Sequence, residues 1–110
     1  MLLDVTKELF DLHGKPILSD NGEPLTVRAV IEFACVTRVQ NESLDASEQL
    51  DRFILASKAV RNDELTLKSE QVTKLKKWIA ARFTPIVTGQ MCLMLEEQTV
   101  EDASSDDADA

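Results

Sequence analysis

The sequence predicts a mainly helical fold, with about four helices behind a small N-terminal β-hairpin; a mixed α+β fold is the alternative. From Thr26 to about Glu97, apolar residues recur every three or four positions, which is the spacing of helices that bury one face. Turn signals dominate before Thr26, and no periodicity remains after Thr99. A chain of 110 residues fits one domain, which we place at residues 1–97, with a disordered acidic tail over residues 98–110.

Turn signals divide the N-terminal stretch into short extended segments. His13-Gly14-Lys15-Pro16 and Asn21-Gly22 each favour a tight turn. We therefore expect a hairpin whose first arm ends near Leu12 and whose second arm runs over residues 16–18. A short helix over residues 4–12 is the alternative for the same stretch.

Thr26 is a suitable N-cap for the first helix, because its side-chain oxygen can accept a hydrogen bond from a backbone N–H of the first turn. We expect this helix to end near residues 40–41. Its apolar stripe is wide, which indicates burial on more than one side. The centre of the stripe consists of Val27, Val30, Ile31 and Ala34, and its margin consists of Phe33, Val36 and Val39.

Asp45, followed three residues later by Glu48, marks the start of a second helix. The expected buried stripe of this helix consists of Leu50, Phe53, Ile54 and Val60. Residues 64–67 alternate between polar and apolar side chains, and they are a candidate strand that pairs with the N-terminal hairpin.

Lys68 or Ser69 begins the third helix, and Thr84 with Pro85 marks the start of the fourth, which we expect to continue to about residue 97. Gly89 weakens the fourth helix by roughly 1 kcal/mol relative to alanine, or lets another backbone approach it closely. The expected buried stripe of the third helix consists of Val72, Leu75, Ile79 and Phe83.

The net charge of −8 is unevenly distributed along the chain. Seven acidic residues and no base occur from residue 96 onward, which leaves 13 acidic residues against 12 Lys and Arg before that point. Between Lys68 and Arg82 the balance reverses, with five bases against the single acid Glu70. A basic helix is thus covalently joined to an acidic tail.

Several function classes lack the residues that they need. His13 is the only histidine, and neither a nucleophile motif nor a zinc-binding spacing accompanies it. The three glycines match neither a dinucleotide-binding nor a phosphate-binding loop. We therefore expect neither catalysis nor a metal or cofactor. Cys35 and Cys92 lie in apolar stretches, so reduced core thiols are expected, with a disulfide or a reactive thiol as the alternative.

No apolar run approaches the roughly 20 residues of a membrane-spanning helix. Lys7 and Glu8 interrupt the N-terminus too early for a signal peptide. We therefore expect a soluble cytoplasmic protein without a membrane partner.

The third helix carries a stripe that suits single-stranded nucleic acid. Lys74, Trp78 and Arg82 recur at intervals of four residues, so bases could stack on the indole while the cations meet phosphates. The alternative is a Trp packed at the edge of the core, with Lys and Arg stems lying over it. The candidate nucleic-acid-binding residues are Lys68, Lys74, Lys76, Lys77, Trp78 and Arg82.

The fourth helix is apolar nearly all round at its C-terminal end. Such a helix is typical of burial against another subunit as well as against its own core. Met91, Met94 and Leu95 are therefore candidate contacts of a homo-oligomer, and packing inside the chain's own core is the alternative. A protein-interaction module, such as a phage assembly chaperone or an inhibitor of a host protein, is accordingly the alternative to nucleic-acid binding.

Four segments share a pattern with a known class of proteins: Gly14-Lys15-Pro16-Ile17, Pro24-Leu25-Thr26-Val27, Glu48-x-Leu50-x-Arg52-Phe53 and Pro85-Ile86-Val87-Thr88-Gly89-Gln90. Through these segments, over residues 10–95, the chain resembles small proteins of tailed bacteriophages. Its small size, basic Trp helix and acidic tail are similar to the single-stranded-DNA-binding RNA polymerase cofactors of N4-related phages. The resemblance implies a domain without an OB fold that binds single strands and assists a phage RNA polymerase, in the cytoplasm of a host cell.

Overall fold

A computed structural model describes residues 2–37, 39 and 42–96 of the chain. Within these residues the chain is mainly helical, as the sequence predicts, and the acidic tail expected over residues 98–110 lies outside them. The helices are α1 (Val27–Val36), α2 (Ala46–Arg61), α3 (Ser69–Arg82) and α4 (Pro85–Leu95), and the strands are β1 (Leu2–Asp4) and β2 (Glu64–Thr66).

The N-terminal stretch forms the expected hairpin and extends it by one further segment. Isolated bridges join residues 8–10, 16–18 and 24–26 into three short antiparallel segments. Two tight turns connect them, and Gly14 and Gly22 occupy these turns with φ of 81° and 85°. A positive φ strains any residue with a Cβ, so the two turns require glycine. The alternative helix over residues 4–12 is not formed.

The strand expected within residues 64–67 is present as β2, and its partner is β1. The two strands are antiparallel, with Leu3 opposite Leu65. Both of these leucines are buried. The partner of β2 therefore precedes the hairpin, and the pairing ties the N-terminus to the connection between α2 and α3.

Two helix starts follow the predicted capping chemistry. The Thr26 hydroxyl oxygen accepts a hydrogen bond from the Ala29 N–H at 3.2 Å, and the Asp45 carboxylate accepts one from the Glu48 N–H at 2.8 Å. α1 ends at Val36, which is several residues before the predicted end.

The core forms where α1 packs against α2 and α3, and α4 packs against α3 on the far side. The inner face of α1 is completely buried, and so are the central apolar residues of α3 and α4. The fully buried members from these three helices are Val27, Val30, Ile31, Ala34, Leu75, Ile79 and Met91.

The margins of the predicted α1 stripe are wrong. Phe33 and Val36 are 46% and 62% exposed, so α1 is buried on one side rather than on several. Phe33 retains one aromatic contact, an edge-to-face pair with Phe83 at 5.3 Å between ring centroids. α2 and α3 cover one side of α1, and Phe33 and Val36 lie beyond the edges of these two helices.

The predicted buried stripe of α2 is also wrong. Leu50, Phe53, Ile54 and Val60 point away from the core, and α2 instead buries Arg52, Leu55, Ala56 and Ala59. The short alanine side chains let α2 approach α1 closely, and the Arg52 charge is neutralised by two carboxylates. α2 therefore has apolar side chains on both of its sides.

Candidate functional site

Trp78 lies in the core and does not present its ring to solvent. It is 5% exposed, its Nε1 donates a hydrogen bond to Glu48 Oε1 at 3.3 Å, and the Arg52 guanidinium lies 4.6 Å from the ring centroid. The cation over the indole face occupies the position that a stacked base would need. The expected exposure of the Trp78 ring is therefore wrong, because Trp78 packs in the core beneath the Arg52 guanidinium. Nucleic-acid binding by this helix stays a prediction.

Arg82 is likewise engaged inside the molecule. Its side chain is 2% exposed, and its Nε and Nη1 donate to the carbonyl oxygens of Thr37 and Trp78 at 2.6 and 2.9 Å. Its Nη2 donates to Glu42 Oε1. Arg82 thus fastens the end of α1 to α3, and it is not available to a phosphate.

Glu42 holds two buried arginines together. Its carboxylate accepts hydrogen bonds from Arg52 at 2.9 and 3.3 Å and a further one from Arg82. The hydrogen bonds from Arg52 and Arg82 lower the pKa of Glu42 to about 2. The carboxylate therefore stays charged, and the cluster locks the loop before α2 onto both α2 and α3.

The lysines of the predicted nucleic-acid site divide into two groups. Lys68, Lys74 and Lys77 are exposed, although the Lys74 ammonium lies 3.7 Å from an Asp51 carboxylate oxygen. Lys76 is partly buried and forms an ion pair with Glu96 at 2.7 Å. The structure thus brings three exposed cations to the α3 surface, without the aromatic ring and the arginine that were expected beside them.

The residues predicted to form an oligomer interface on α4 lie inside the chain's own core. Met91 is 0% and Leu95 is 3% exposed, and the partly buried Met94 packs against the same core. Met91 and Leu95 therefore pack inside the chain's own core, where α3 covers this side of α4, and the homo-oligomer contact stays a prediction.

The outward side of α2 is an apolar feature that the sequence interpretation missed. Leu50, Phe53, Ile54 and Val60 are 57%, 67%, 41% and 51% exposed, and Ser57 lies among them at the same helical spacing. We call these five residues the α2 face. Monomeric proteins seldom expose several large apolar side chains side by side unless the patch is used for binding.

The α2 face continues onto the neighbouring helix α1. A shallow cavity of about 200 Å³ is lined by Phe53 and Gln49 of α2 together with Val36 of α1. Val36 is 62% exposed, so it extends the apolar surface beyond α2. On the opposite flank Asp51 and Ile54 border α3 at a second shallow cavity.

A sequence signal for this face did exist. α2 carries two apolar stripes, and the second one consists of Leu55, Ala56 and Ala59. Side-chain size alone predicts that the first stripe faces the core, whereas a helix that is apolar on both sides indicates a second contact partner.

Neither metal chemistry nor similarity assigns a function to the chain. Over residues 2–37, 39 and 42–96, no three His, Cys, Asp or Glu side chains are placed to hold a metal ion, and no helix is long and apolar enough to cross a membrane. No family model matches the chain, and neither a curated protein nor a solved structure is significantly similar to it. The resemblance to phage proteins stays a prediction.

Proposed function

We propose that this chain is a non-enzymatic protein-interaction module that recognises another protein chain through the α2 face. The observation that supports this is the exposure of four large apolar side chains on the outward side of α2. An amphipathic helix at a protein surface normally directs polar residues outward. Here four large apolar residues face solvent, while the helix inserts one leucine, two alanines and a neutralised arginine into the core.

The α2 face supplies a substantial part of the free energy that a complex needs. Burying four such half-exposed side chains removes roughly 300–400 Å² of apolar surface from water, a gross gain of about 8–10 kcal/mol. Association itself costs about 4–15 kcal/mol in lost freedom, so polar contacts at the rim must add to the apolar centre. The roles that fit such a surface include an assembly chaperone and an inhibitor of a host protein.

Capture experiments with paired variants test this proposal. Immobilised wild-type protein, Phe53→Glu and Leu12→Glu are each exposed to a lysate of the cells of origin, and bound proteins are identified by mass spectrometry. Leu12 is a matched control, because it is an apolar side chain that is 83% exposed and lies outside α2. We expect Phe53→Glu to lose the partner and Leu12→Glu to retain it. A partner retained by both variants would refute recognition through the α2 face.

A second candidate function is single-stranded nucleic-acid binding, with or without an RNA polymerase as a further partner. It is supported by the exposure of Lys74 and Lys77 on α3 and of Lys68 just before it, and by the start of the acidic segment at Glu96, which is paired with Lys76. A polyanionic segment attached beside a cationic surface competes with nucleic acid for it.

Fluorescence anisotropy with labelled single-stranded and double-stranded oligonucleotides tests this second function. We expect single-strand binding that weakens with salt, strengthens when the chain ends at Gln98, and is lost in the double variant Lys74→Glu, Lys77→Glu. Lys15→Glu is the control, because Lys15 is an exposed lysine that lies outside α2 and α3. Absence of binding at low salt would refute the nucleic-acid function and leave the protein-interaction function untouched.

A further inference from the structure

We propose that the partner of the α2 face is a second copy of this chain, which docks its own α2 in antiparallel orientation about a two-fold axis level with residue 55. The inference rests on the proposed function and names the partner of the same surface. It is argued from the spacing, the size and the charge of the α2 residues.

The spacing of the α2 face is that of a helix pair. Leu50, Phe53, Ser57 and Val60 are separated by three, four and three residues, which is the apolar repeat of helices that pack along their length. A single two-fold axis level with residue 55 sets Leu50 opposite Val60 of the second copy and sets Phe53 opposite Ser57 at the same time. The large Phe53 ring thus meets the smallest side chain of the face, so the two helices can pack without a collision between bulky groups.

The charges along one flank of α2 favour the antiparallel orientation. Asp51 lies near the start of α2, Lys58 and Arg61 lie near its end, and all three are exposed. Around such an axis the same flanks of the two helices face each other, so Asp51 of each copy comes between Lys58 and Arg61 of the other. A parallel pair would set this flank against the opposite one, which carries the uncharged Gln49, and the charge match would be lost.

The opposed helix ends also favour this orientation. The N-terminus of α2 carries partial positive charge and its C-terminus partial negative charge, so an antiparallel neighbour places unlike ends together. The pairing is self-complementary, as a two-fold interface requires, because each of its contacts occurs twice.

The area sets the expected strength of the dimer. Together the two copies remove roughly 600–800 Å² from water at the α2 faces, and Val36 and the charged flanks enlarge the interface. Stable interfaces bury about 1,200–2,000 Å² in total, so the α2 faces alone fall below that range and give a weak, transient dimer. We therefore expect a reversible dimer with a dissociation constant in the micromolar range.

Sedimentation velocity of the full chain from about 1 µM to about 1 mM tests dimerisation, since this range spans the expected dissociation constant. Wild-type protein and Leu12→Glu are expected to shift from monomer to dimer, and Phe53→Glu is expected to weaken dimerisation at least about 30-fold, as loss of a central anchor does. Phe53 is 67% exposed, so the glutamate does not have to enter the core, and circular dichroism verifies the fold of each variant. A wild-type monomer at about 1 mM would overturn the inference.

Two further readouts test the orientation. Asp51→Arg and Arg61→Asp are each expected to weaken the dimer, and the two substitutions combined in one chain are expected to restore it. Ile54→Cys lies close to the proposed axis and should form an intermolecular disulfide under mild oxidation. Ala46→Cys should not do so, because it lies nine residues from the axis in each copy, and 18 residues at 1.5 Å each place the two cysteines about 27 Å apart along the helices. Cross-linking through Ala46→Cys but not Ile54→Cys would overturn the antiparallel arrangement.

These outcomes separate the inference from the proposed function. The chain could be strictly monomeric and still capture a different protein in a manner that Phe53→Glu abolishes. That result would refute dimerisation through α2 but retain the α2 face as a recognition surface. Captured proteins that bind Phe53→Glu as well as wild type would refute the proposed function itself.

Discussion

The Glu42→Gln substitution is expected to lower the free energy of unfolding by about 2–3 kcal/mol at neutral pH. The Glu42 carboxylate bonds two arginines, Arg52 and Arg82, whose side chains are 3% and 2% exposed. Removing one partner of a buried ion pair costs about 3–5 kcal/mol, because the remaining charges stay desolvated. Glu42 itself is 19% exposed and the amide oxygen can still accept one bond, which reduces the loss.

The pKa of Glu42 gives an independent measure of the same interaction. Hydrogen bonds from Arg52 and Arg82 lower this pKa from 4.5 to about 2. Each unit corresponds to 1.36 kcal/mol, which sets an upper bound of about 3 kcal/mol. Because the folded pKa is lowered, this stability is fully present above pH 4.5 and is lost as the pH falls from 4.5 to about 2. The stability difference between wild type and Glu42→Gln should vanish over that window.

Urea unfolding followed by the fluorescence of Trp78, the only tryptophan, measures both effects. Asp63→Asn is the matched control. Asp63 forms an ion pair with Arg28 at 2.8 Å, but its side chain is 82% exposed, so its loss should cost less than about 0.5 kcal/mol. Equal stability of Glu42→Gln and Asp63→Asn, or a difference from wild type that grows as the pH falls, would refute this reasoning.

Three further predictions follow from burial and backbone geometry. Leu55→Ala should lower the free energy of unfolding by about 2–4 kcal/mol, whereas Phe53→Ala, measured on dilute protein, should change it by less than about 0.5 kcal/mol. Equal losses would mean that Phe53 belongs to the core, as the sequence predicts. Gly22→Ala should destabilise by about 1 kcal/mol because its φ is positive, and Gly89→Ala in α4 should stabilise by up to about 1 kcal/mol, both measured by thermal unfolding; the same sign at both positions would contradict this. Burial raises the pKa of the Cys35 thiol to about 12, so iodoacetamide at pH 8 should leave it unmodified in the folded chain, and mass spectrometry showing rapid labelling would contradict its burial.

Local signals in the sequence were sufficient to predict most of the secondary structure. The Thr26 and Asp45 caps and the glycine turns at 14 and 22 depend on residues that are near neighbours in the chain. Such features are determined by short-range hydrogen bonding and steric limits, so they can be read without knowing the tertiary fold.

Tertiary features were harder to predict because they depend on distant partners. Arg52 is buried against Trp78, which lies on a different helix, and its charge is balanced by Glu42 and Glu48. No local pattern in α2 predicts that this arginine faces the core. Periodicity located two apolar stripes on α2, but it could not decide which stripe faces the core. Trp78 posed the same ambiguity, because its position beside Lys74 is compatible with an exposed stacking surface and with the edge of the core. Its contact with Arg52, on another helix, places it in the core.

Site-specific photo-cross-linking tests most directly whether the α2 face recognises protein. A photoreactive phenylalanine analogue replaces Phe53 in one full-length chain and Leu12 in another, and each chain is irradiated in living cells. We expect an adduct of defined mass from position 53 that contains this chain or another protein, and none from position 12. Equal adducts from both positions, or no protein adduct from position 53, would contradict the proposed role of the α2 face.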